Sequence, residues 1–246
     1  MRCGFVALVG APNAGKSTLL NALVGSKVSI VSPKVQTTRS LVRGIAIKDR
    51  TQIVFVDTPG IFAPKRRLDR AMVTAALTGA ADADLAALLV DAKKGLDDET
   101  RAIVEKLKEM PQPKILILNK IDLVKRDMLL ALTQAANELI PFERTFMISA
   151  MKNDGVPDLL DFFAERLPAG PWHYPEDEIT DIPLRQMAAE ITREKLFLRL
   201  QQEYRTNRRS KPIRGRSCAT VRCGSSSRSS SSARASGRSC WARAGR

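Results

Sequence analysis

The sequence has few cysteines, few aromatic residues and a single histidine. Among 246 residues, four are Cys, one is His and 5% are aromatic. Residues 1–203 contain only Cys3, so this part of the chain has no disulfide framework, which suits a reducing cytosol. His173 lies in the proline-rich stretch 168–175, and we interpret it as a solvated linker residue rather than a catalyst.

A long uninterrupted hydrophobic run is also missing. The most membrane-like window, residues 71–90, contains Asp82 and Asp84 and is broken by Gly79. Each Asp near the centre of a bilayer costs about 2.5–3.5 kcal/mol, which excludes a transmembrane helix here. The first ten residues show no basic region followed by a cleavage site, so we expect no signal peptide and a cytoplasmic protein.

Acidic residues are absent from residues 204–246. This stretch holds eleven Arg and one Lys, and therefore carries +12 of the formal net charge of +14. The basicity belongs to this tail and not to residues 1–203. Because the tail is mostly Ser, Arg, Gly, Ala and Cys, it cannot bury enough apolar surface to offset its ordering entropy, and we expect it to be disordered.

Apolar strand-like runs alternate with helical segments through residues 4–167. Such alternation predicts βαβ units and a mainly parallel, six-stranded α/β sheet with helices on both faces. A hairpin turning at Asp49 and Arg50 should add one antiparallel edge strand. The predicted strands are 4–10, 40–48, 51–56, 85–91, 114–119 and 145–149, and the predicted helices are 16–24, 68–79, 97–109, 126–139, 156–167 and 182–202.

A glycine-rich phosphate-binding loop follows the first strand and opens the first helix. Backbone N–H groups of this loop can surround a β-phosphate, and the helix N-terminus adds a positive dipole. Lys16 reaches the β- and γ-phosphates, and Ser17 offers a hydroxyl to Mg²⁺. The predicted nucleotide-binding residues of the loop are Gly10, Ala11, Pro12, Asn13, Ala14, Gly15, Lys16, Ser17 and Thr18.

Two further segments are predicted to face the metal and the γ-phosphate. Asp57 at the end of the third strand can hold Mg²⁺ through water, and the Gly60 amide can meet the γ-phosphate; Thr58 and Pro59 complete this motif. In the segment 36–39, a Thr can complete the Mg²⁺ shell, and we favour Thr38 over Thr37. The predicted metal ligands are therefore Ser17, Thr38 and Asp57.

Two motifs at later strand ends are predicted to read the base. Asp122, after Asn119 and Lys120, can accept hydrogen bonds from guanine N1–H and the exocyclic amine, a donor pair that adenine lacks. The backbone N–H of Ala150, in the motif Ser149-Ala150-Met151-Lys152, is predicted to meet guanine O6. Together these motifs predict a site for GTP and GDP.

The motifs GAPNAGKST, QTTR, DTPGIFAP, NKID and SAMK resemble those of the translation-factor-like P-loop GTPases, and of the Era family of ribosome-assembly GTPases in particular. The segment TDIPLRQMAAEITREKLFLRLQQE resembles the opening of that family's C-terminal KH domain. The resemblance covers about residues 4–203. It implies GTP hydrolysis with Mg²⁺, binding to 16S rRNA, a role in maturation of the small ribosomal subunit, and peripheral association with the inner membrane.

The resemblance also divides the chain. It implies a GTPase domain over 1–168, a linker over 169–181, and the first helix of a KH-like domain over 182–203. A KH domain needs a Gly-x-x-Gly loop that clamps nucleic-acid backbone, and we find none after Glu203. We interpret residues 204–246 as the product of a reading-frame change; the alternative is a genuine basic arm that binds RNA by counterion release.

One residue departs from the pattern of many GTPases. Ile61 stands where a Gln commonly orients the attacking water. In related GTPases, an Asn at the position of Asn13 ligates K⁺, which neutralises charge between the β- and γ-phosphates; the alternative is that Asn13 is simply a turn former. We assign catalytic roles to Asn13, Lys16, Thr38 and Gly60.

Two functions remain open at this point. The first is a GTP-hydrolysing switch whose RNA-binding half is incomplete. The second is an RNA-binding module that acts through its basic tail, with a nucleotide site that only regulates it.

Overall fold

The computed structural model describes residues 1–31, 42–58 and 81–207. Within these ranges the strands are β1 (Arg2–Gly10), β2 (Val42–Lys48), β3 (Thr51–Asp57), β4 (Leu85–Asp91), β5 (Lys114–Asn119) and β6 (Arg144–Ile148). The helices whose bounds fall in the same ranges are α1 (Lys16–Val24), α2 (Asp98–Lys108), α3 (Arg126–Leu139), α4 (Val156–Arg166) and α5 (Leu184–Asn207).

In the described part of the chain, the six strands form one sheet in the order β2-β3-β1-β4-β5-β6. The β2–β3 pair is antiparallel and every other pair is parallel. The predicted mainly parallel sheet with one antiparallel edge strand is thereby confirmed. Because β1, β3, β4, β5 and β6 run in the same direction, their carboxyl ends share one edge of the sheet.

Both faces of the sheet are covered by helices, which is why the middle parts of the central strands are apolar. All seven residues of β3 and of β4 are buried. On one face α1 and α4 contribute Leu19, Leu20 and Phe163, and the ring of Phe163 lies edge-on to Phe55 at 5.5 Å between centroids. On the other face α2 and α3 contribute residues such as Ile103 and Leu129.

The observed element bounds differ from the predicted ones at several ends. β1 begins at Arg2, two residues early, because the chain already pairs with Thr51 of β3 there. Helix α5 continues to Asn207, so residues 204–207 are helical and do not belong to a disordered tail. Of residues 204–207 only Arg205 has a high helix propensity, but a residue added to an existing helix gains a hydrogen bond without the cost of a new nucleus. The predicted helix 68–79 and residues 40–41 and 208–246 lie outside the described residues.

The predicted linker is bound along the edge of the sheet. Thr180 pairs with Gly44 of β2, and Ala169 pairs with Arg2 of β1. The buried side chain of Gln52 accepts hydrogen bonds from the backbone N–H groups of His173 (2.9 Å) and Tyr174 (3.0 Å) and donates to the Tyr174 carbonyl (2.8 Å). His173 is exposed, as expected, although its ring lies 5.4 Å from that of Phe5. Sequence patterning missed this attachment; the domain boundaries stay a prediction.

None of the helices in the ranges described above is long and apolar enough to cross a bilayer.

Replacing Gln52 with Ala should release His173 and Tyr174 from the sheet. The variant loses the three hydrogen bonds to the linker and the 3.5 Å bond from the Cys3 thiol, and we expect the free energy of unfolding to fall by about 1–3 kcal/mol. Amide hydrogen exchange at His173 and Tyr174 should accelerate. Gln134→Ala, on the exposed face of α3, is the control and should leave that exchange unchanged. Equal protection in wild type and Gln52→Ala would contradict the role assigned to this side chain.

Candidate nucleotide-binding site

Four of the five predicted motifs lie at the carboxyl edge of the sheet. The phosphate loop follows β1, Asp57 ends β3, Asn119 ends β5, and Ser149 follows β6. Open parallel sheets bind ligands outside the carboxyl ends of their strands. Thr37, Thr38, Pro59, Gly60 and Ile61 lie outside the described residues, so their assignments stay predictions.

At Gly15 the phosphate loop has a backbone conformation and a close contact that favour glycine. Gly15 has φ +104°, and a Cβ there would come within 2.2 Å of the Asn119 amide nitrogen. Asn13 also adopts a left-handed conformation, with φ +63°. Helix α1 begins at the next residue after Gly15 and has no acidic residue in its first turn, so its positive end stays available to an anion.

Lys16 is buried inside this loop. Its ammonium donates to the carbonyls of Gly10 (2.9 Å) and Ala11 (3.0 Å). Burial lowers the pKa of Lys16 to about 8, although the nearby charge of Asp57 opposes that shift. A phosphate in the loop would stabilise the charged form, since it places negative charge beside a cation that water does not solvate.

Asp57 receives two serine hydroxyls on the same carboxylate oxygen. Ser17 Oγ lies 2.8 Å from Oδ2 and Ser29 Oγ lies 3.0 Å from it. Asp57 is fully buried, and the next residue, Thr58, donates through Oγ1 to the Leu8 carbonyl at 2.8 Å. Thr58 therefore ties the start of this motif to β1.

The oxygens of Ser17 and Asp57 are suited to bind the Mg²⁺ ion that accompanies a nucleoside phosphate. No group of three or more His, Cys, Asp or Glu able to hold a metal occurs among the residues described here. Mg²⁺ commonly binds through one or two protein oxygens plus substrate phosphates, rather than in an all-protein cage. A serine that donates its hydrogen to Asp57 keeps its lone pairs for a cation, so the donor set fits this ion.

Asn119 joins three of the motifs through one buried side chain. Its amide nitrogen donates to the Ala14 carbonyl at 2.9 Å. Its amide oxygen accepts from the backbone N–H of Lys120 (2.8 Å) and of Ala150 (3.0 Å). The Ala150 N–H therefore already has an acceptor within the protein. For the predicted contact with guanine O6, this N–H must either donate to both oxygens or give up its hydrogen bond to Asn119. The contact stays a prediction.

Asp122 is placed to act as an ionised acceptor. Ser149 Oγ donates to its Oδ1 at 2.8 Å, and Lys152 Nζ lies 3.6 Å from Oδ2. The Ser149 hydrogen bond is the main reason that the pKa of Asp122 is lowered, with a contribution from Lys152. Met151 in the same loop is 87% exposed. An ionised carboxylate held in this way can accept two N–H donors side by side.

Asp91 also lies in the candidate site, although it belongs to none of the five motifs. It ends β4 with its side chain only 9% exposed, and its Oδ2 lies 2.6 Å from Lys120 Nζ. The same ammonium donates to the Asn13 carbonyl at 2.7 Å. Lys120 thus connects β4, the phosphate loop and the base-recognition motif. An acidic residue at the last position of a buried strand was the available signal, since Asp57 ends β3 in the same way.

Comparison with known proteins identifies the family to which this chain belongs. Residues 5–120 match the family model described as a 50S ribosome-binding GTPase. GTPase Era of Sinorhizobium medicae is 66% identical over 202 residues, which are 82% of this chain and 65% of that protein. GTPase Era of Brucella suis is 63% identical over the same length. The chain thus spans about two thirds of the length of these relatives.

Solved structures agree with these relatives. Era in complex with MgGDPNP and nucleotides 1506–1542 of 16S ribosomal RNA has a TM-score of 0.76 and 41% identity, covering 79% of this chain and 67% of that one. An Aquifex aeolicus Era variant bound to GDP and AlF₄⁻ has a TM-score of 0.73, with the same identity and coverage. The chain belongs to the Era family of GTPases. The resemblance of the five motifs to this family is thereby confirmed.

The Asp91–Lys120 pair gives a testable prediction about nucleotide affinity. Asp91→Asn keeps the shape of the side chain but removes the charge that fixes Lys120, and hydrogen bonds to charged groups contribute about 1.5–3 kcal/mol. We expect GDP to bind about 10–100-fold more weakly in calorimetric titration. Asp161→Asn is the matched control, because this exposed residue pairs with Lys48 at the far end of β2. Wild-type GDP affinity in folded Asp91→Asn would contradict the assignment.

Proposed function

We propose that this chain binds GTP and GDP together with Mg²⁺ and hydrolyses GTP. The observation that carries the proposal is the Asn119 side chain, which joins the phosphate loop to both base-recognition motifs at one edge of the sheet. The Era relatives support the activity, although they are longer than this chain. The same arrangement does not favour a nucleotide site that only regulates RNA binding by the tail.

Each part of the nucleotide has a partner in this proposal. The loop amides from Asn13 to Thr18 and the α1 N-terminus bind the β-phosphate, and Lys16 neutralises charge on the β- and γ-phosphates. Asp122 accepts the N1–H and the amine of guanine. Ser17 and Asp57, with Thr38 in the γ-phosphate state, hold Mg²⁺, which when bound neutralises charge that develops on the phosphates.

Asp122→Asn is the experiment that tests this function. An amide at position 122 leaves one guanine donor without an acceptor, whereas its NH₂ group can donate to the second carbonyl of xanthine. We expect GDP affinity to fall at least about 100-fold and xanthosine diphosphate to become the better ligand, by titration of both nucleotides. Asp154→Asn in the neighbouring loop is the control. The proposal fails if wild-type protein binds GDP and ADP equally.

The pKa of Lys16 predicts a pH dependence of GDP affinity. Below pH 8 the ammonium is already charged, so phosphate binding needs no proton; above pH 8 the free protein must take one up. GDP affinity should therefore fall as pH rises from 8 to 9, with proton uptake visible by calorimetry in buffers of different ionisation enthalpy. Lys16→Arg stays charged throughout, so its affinity should show only the titration of the nucleotide. A wild-type slope equal to that of Lys16→Arg would contradict the shift.

Hydrolysis without a Gln at position 61 requires another way to stabilise the transition state. We propose that the side chain of Asn13 ligates K⁺ next to the β- and γ-phosphates. The support is its exposed position at the tip of the loop, where Lys120 fixes its backbone carbonyl. The left-handed φ of Asn13 equally suits a turn former. GTP turnover that is the same in KCl and NaCl would eliminate the K⁺ role.

A role in assembly of the small ribosomal subunit is the wider proposal. It is supported by the solved Era structure that contains 16S ribosomal RNA. Peripheral contact with the inner membrane and a cytoplasmic location are proposed from the family alone. RNA binding through residues 204–246 is the alternative; it predicts sequence-independent binding that weakens steeply as salt rises, because twelve cationic side chains would release counterions.

A further inference from the structure

Two residues of α1, one helical turn apart, make hydrogen bonds in the same part of the site, around Asp57. Ser17 donates to Asp57, and Asn21 lies four residues later on the same face of the helix. The Asn21 amide oxygen accepts from the backbone N–H groups of Val28 and Ser29, both at 2.9 Å, and its nitrogen donates to the Ser29 carbonyl at 2.8 Å. These three bonds fix the backbone at residues 28–29.

The fixed backbone directs the Ser29 hydroxyl at Asp57. Ser29 is only 5% exposed, and its Oγ lies 3.0 Å from Asp57 Oδ2. Ser29 comes from the segment after α1 and belongs to none of the five motifs. Its hydroxyl therefore reaches the carboxylate independently of the phosphate loop.

An aspartate needs such a partner to present its carboxylate in one orientation. The terminal torsion of Asp is broad, so packing and hydrogen bonds, not a rotamer well, decide the plane of the carboxylate. Groups that orient the protein ligands of a metal typically change metal affinity or activity 10–100-fold when they are removed. Ser29 is a group of this kind, because its hydroxyl donates a hydrogen bond to the Asp57 carboxylate.

We propose that Ser29, held by Asn21, is a positioning residue that orients Asp57 for Mg²⁺ in the nucleotide complex. The inference rests on the proposed function, because it concerns the metal that accompanies bound GDP or GTP. It assigns to residues 21 and 29 a part in metal affinity and none in base recognition.

The chain contains a matched serine for the test. Ser149 is 1% exposed and donates to Asp122 at 2.8 Å, as Ser29 donates to Asp57 at 3.0 Å. Ser29→Ala and Ser149→Ala thus remove the same group from two different carboxylates. The full chain is loaded with a fluorescent GDP analogue and its release is followed as free Mg²⁺ is lowered. Competition between GDP and inosine diphosphate, which lacks the amine, measures base recognition.

Ser29→Ala should raise the Mg²⁺ concentration for half-maximal retention by about tenfold and leave the preference for GDP over inosine diphosphate unchanged. Ser149→Ala should reduce that preference and change the Mg²⁺ concentration less than Ser29→Ala does. Ser29→Thr keeps the hydroxyl and should restore wild-type Mg²⁺ dependence. Ser29→Cys keeps the packing but is only a weak hydrogen-bond donor, so it should show the same Mg²⁺ defect. It provides the test if Ser29→Ala does not fold.

Unchanged Mg²⁺ dependence in both folded Ser29→Ala and folded Ser29→Cys would overturn the proposal. A loss of base preference in Ser29→Ala equal to that in Ser149→Ala would overturn it as well, since that result indicates a general disturbance of the site. Failure of wild-type protein to bind GDP would instead overturn the proposed function. The two failures are therefore distinguishable.

Discussion

The close approach of Asn119 to the phosphate loop is the constraint on which the site depends. The Asn119 amide can reach the Ala14 carbonyl only because Gly15 has no side chain, as a Cβ there would collide with the amide nitrogen. The oxygen of the same amide holds Lys120 and Ala150. Parallel strands bring their carboxyl ends together, but this buried amide sets the distance between the glycine-rich loop after β1 and the segments 119–122 and 149–152.

Buried charge gives the site its chemical character. Lys16 and Asp57 are both almost inaccessible to water, so each depends on specific partners and not on solvent. Backbone carbonyls hold the lysine and serine hydroxyls hold the aspartate. Such groups are already oriented in the structure, and the low dielectric around them strengthens the field that a phosphate bound here would meet.

Much of this arrangement could be predicted from the sequence. The phosphate loop, Asp57, the segment 119–122 and the segment 149–152 are local motifs, each placed directly after an apolar run, and the parallel sheet follows from the alternation of strands and helices. Asp91, Ser29 and Gln52 were not found. Each acts through a partner far along the chain; the carbonyl that Gln52 contacts is 122 residues away. No local pattern encodes a pairing of that kind.

The sequence by itself determined the fold class, the family and the residues present in four loops of the candidate site, because short-range spacing fixes which backbone and which side chains a strand end presents. Only the tertiary structure decided that Lys120 is held by Asp91, that Asp57 is shared by Ser17 and Ser29, and that His173 and Tyr174 lie bound to Gln52. The physical reason is that buried polar groups must find hydrogen-bond partners, and the partner is chosen by proximity in space, not in sequence.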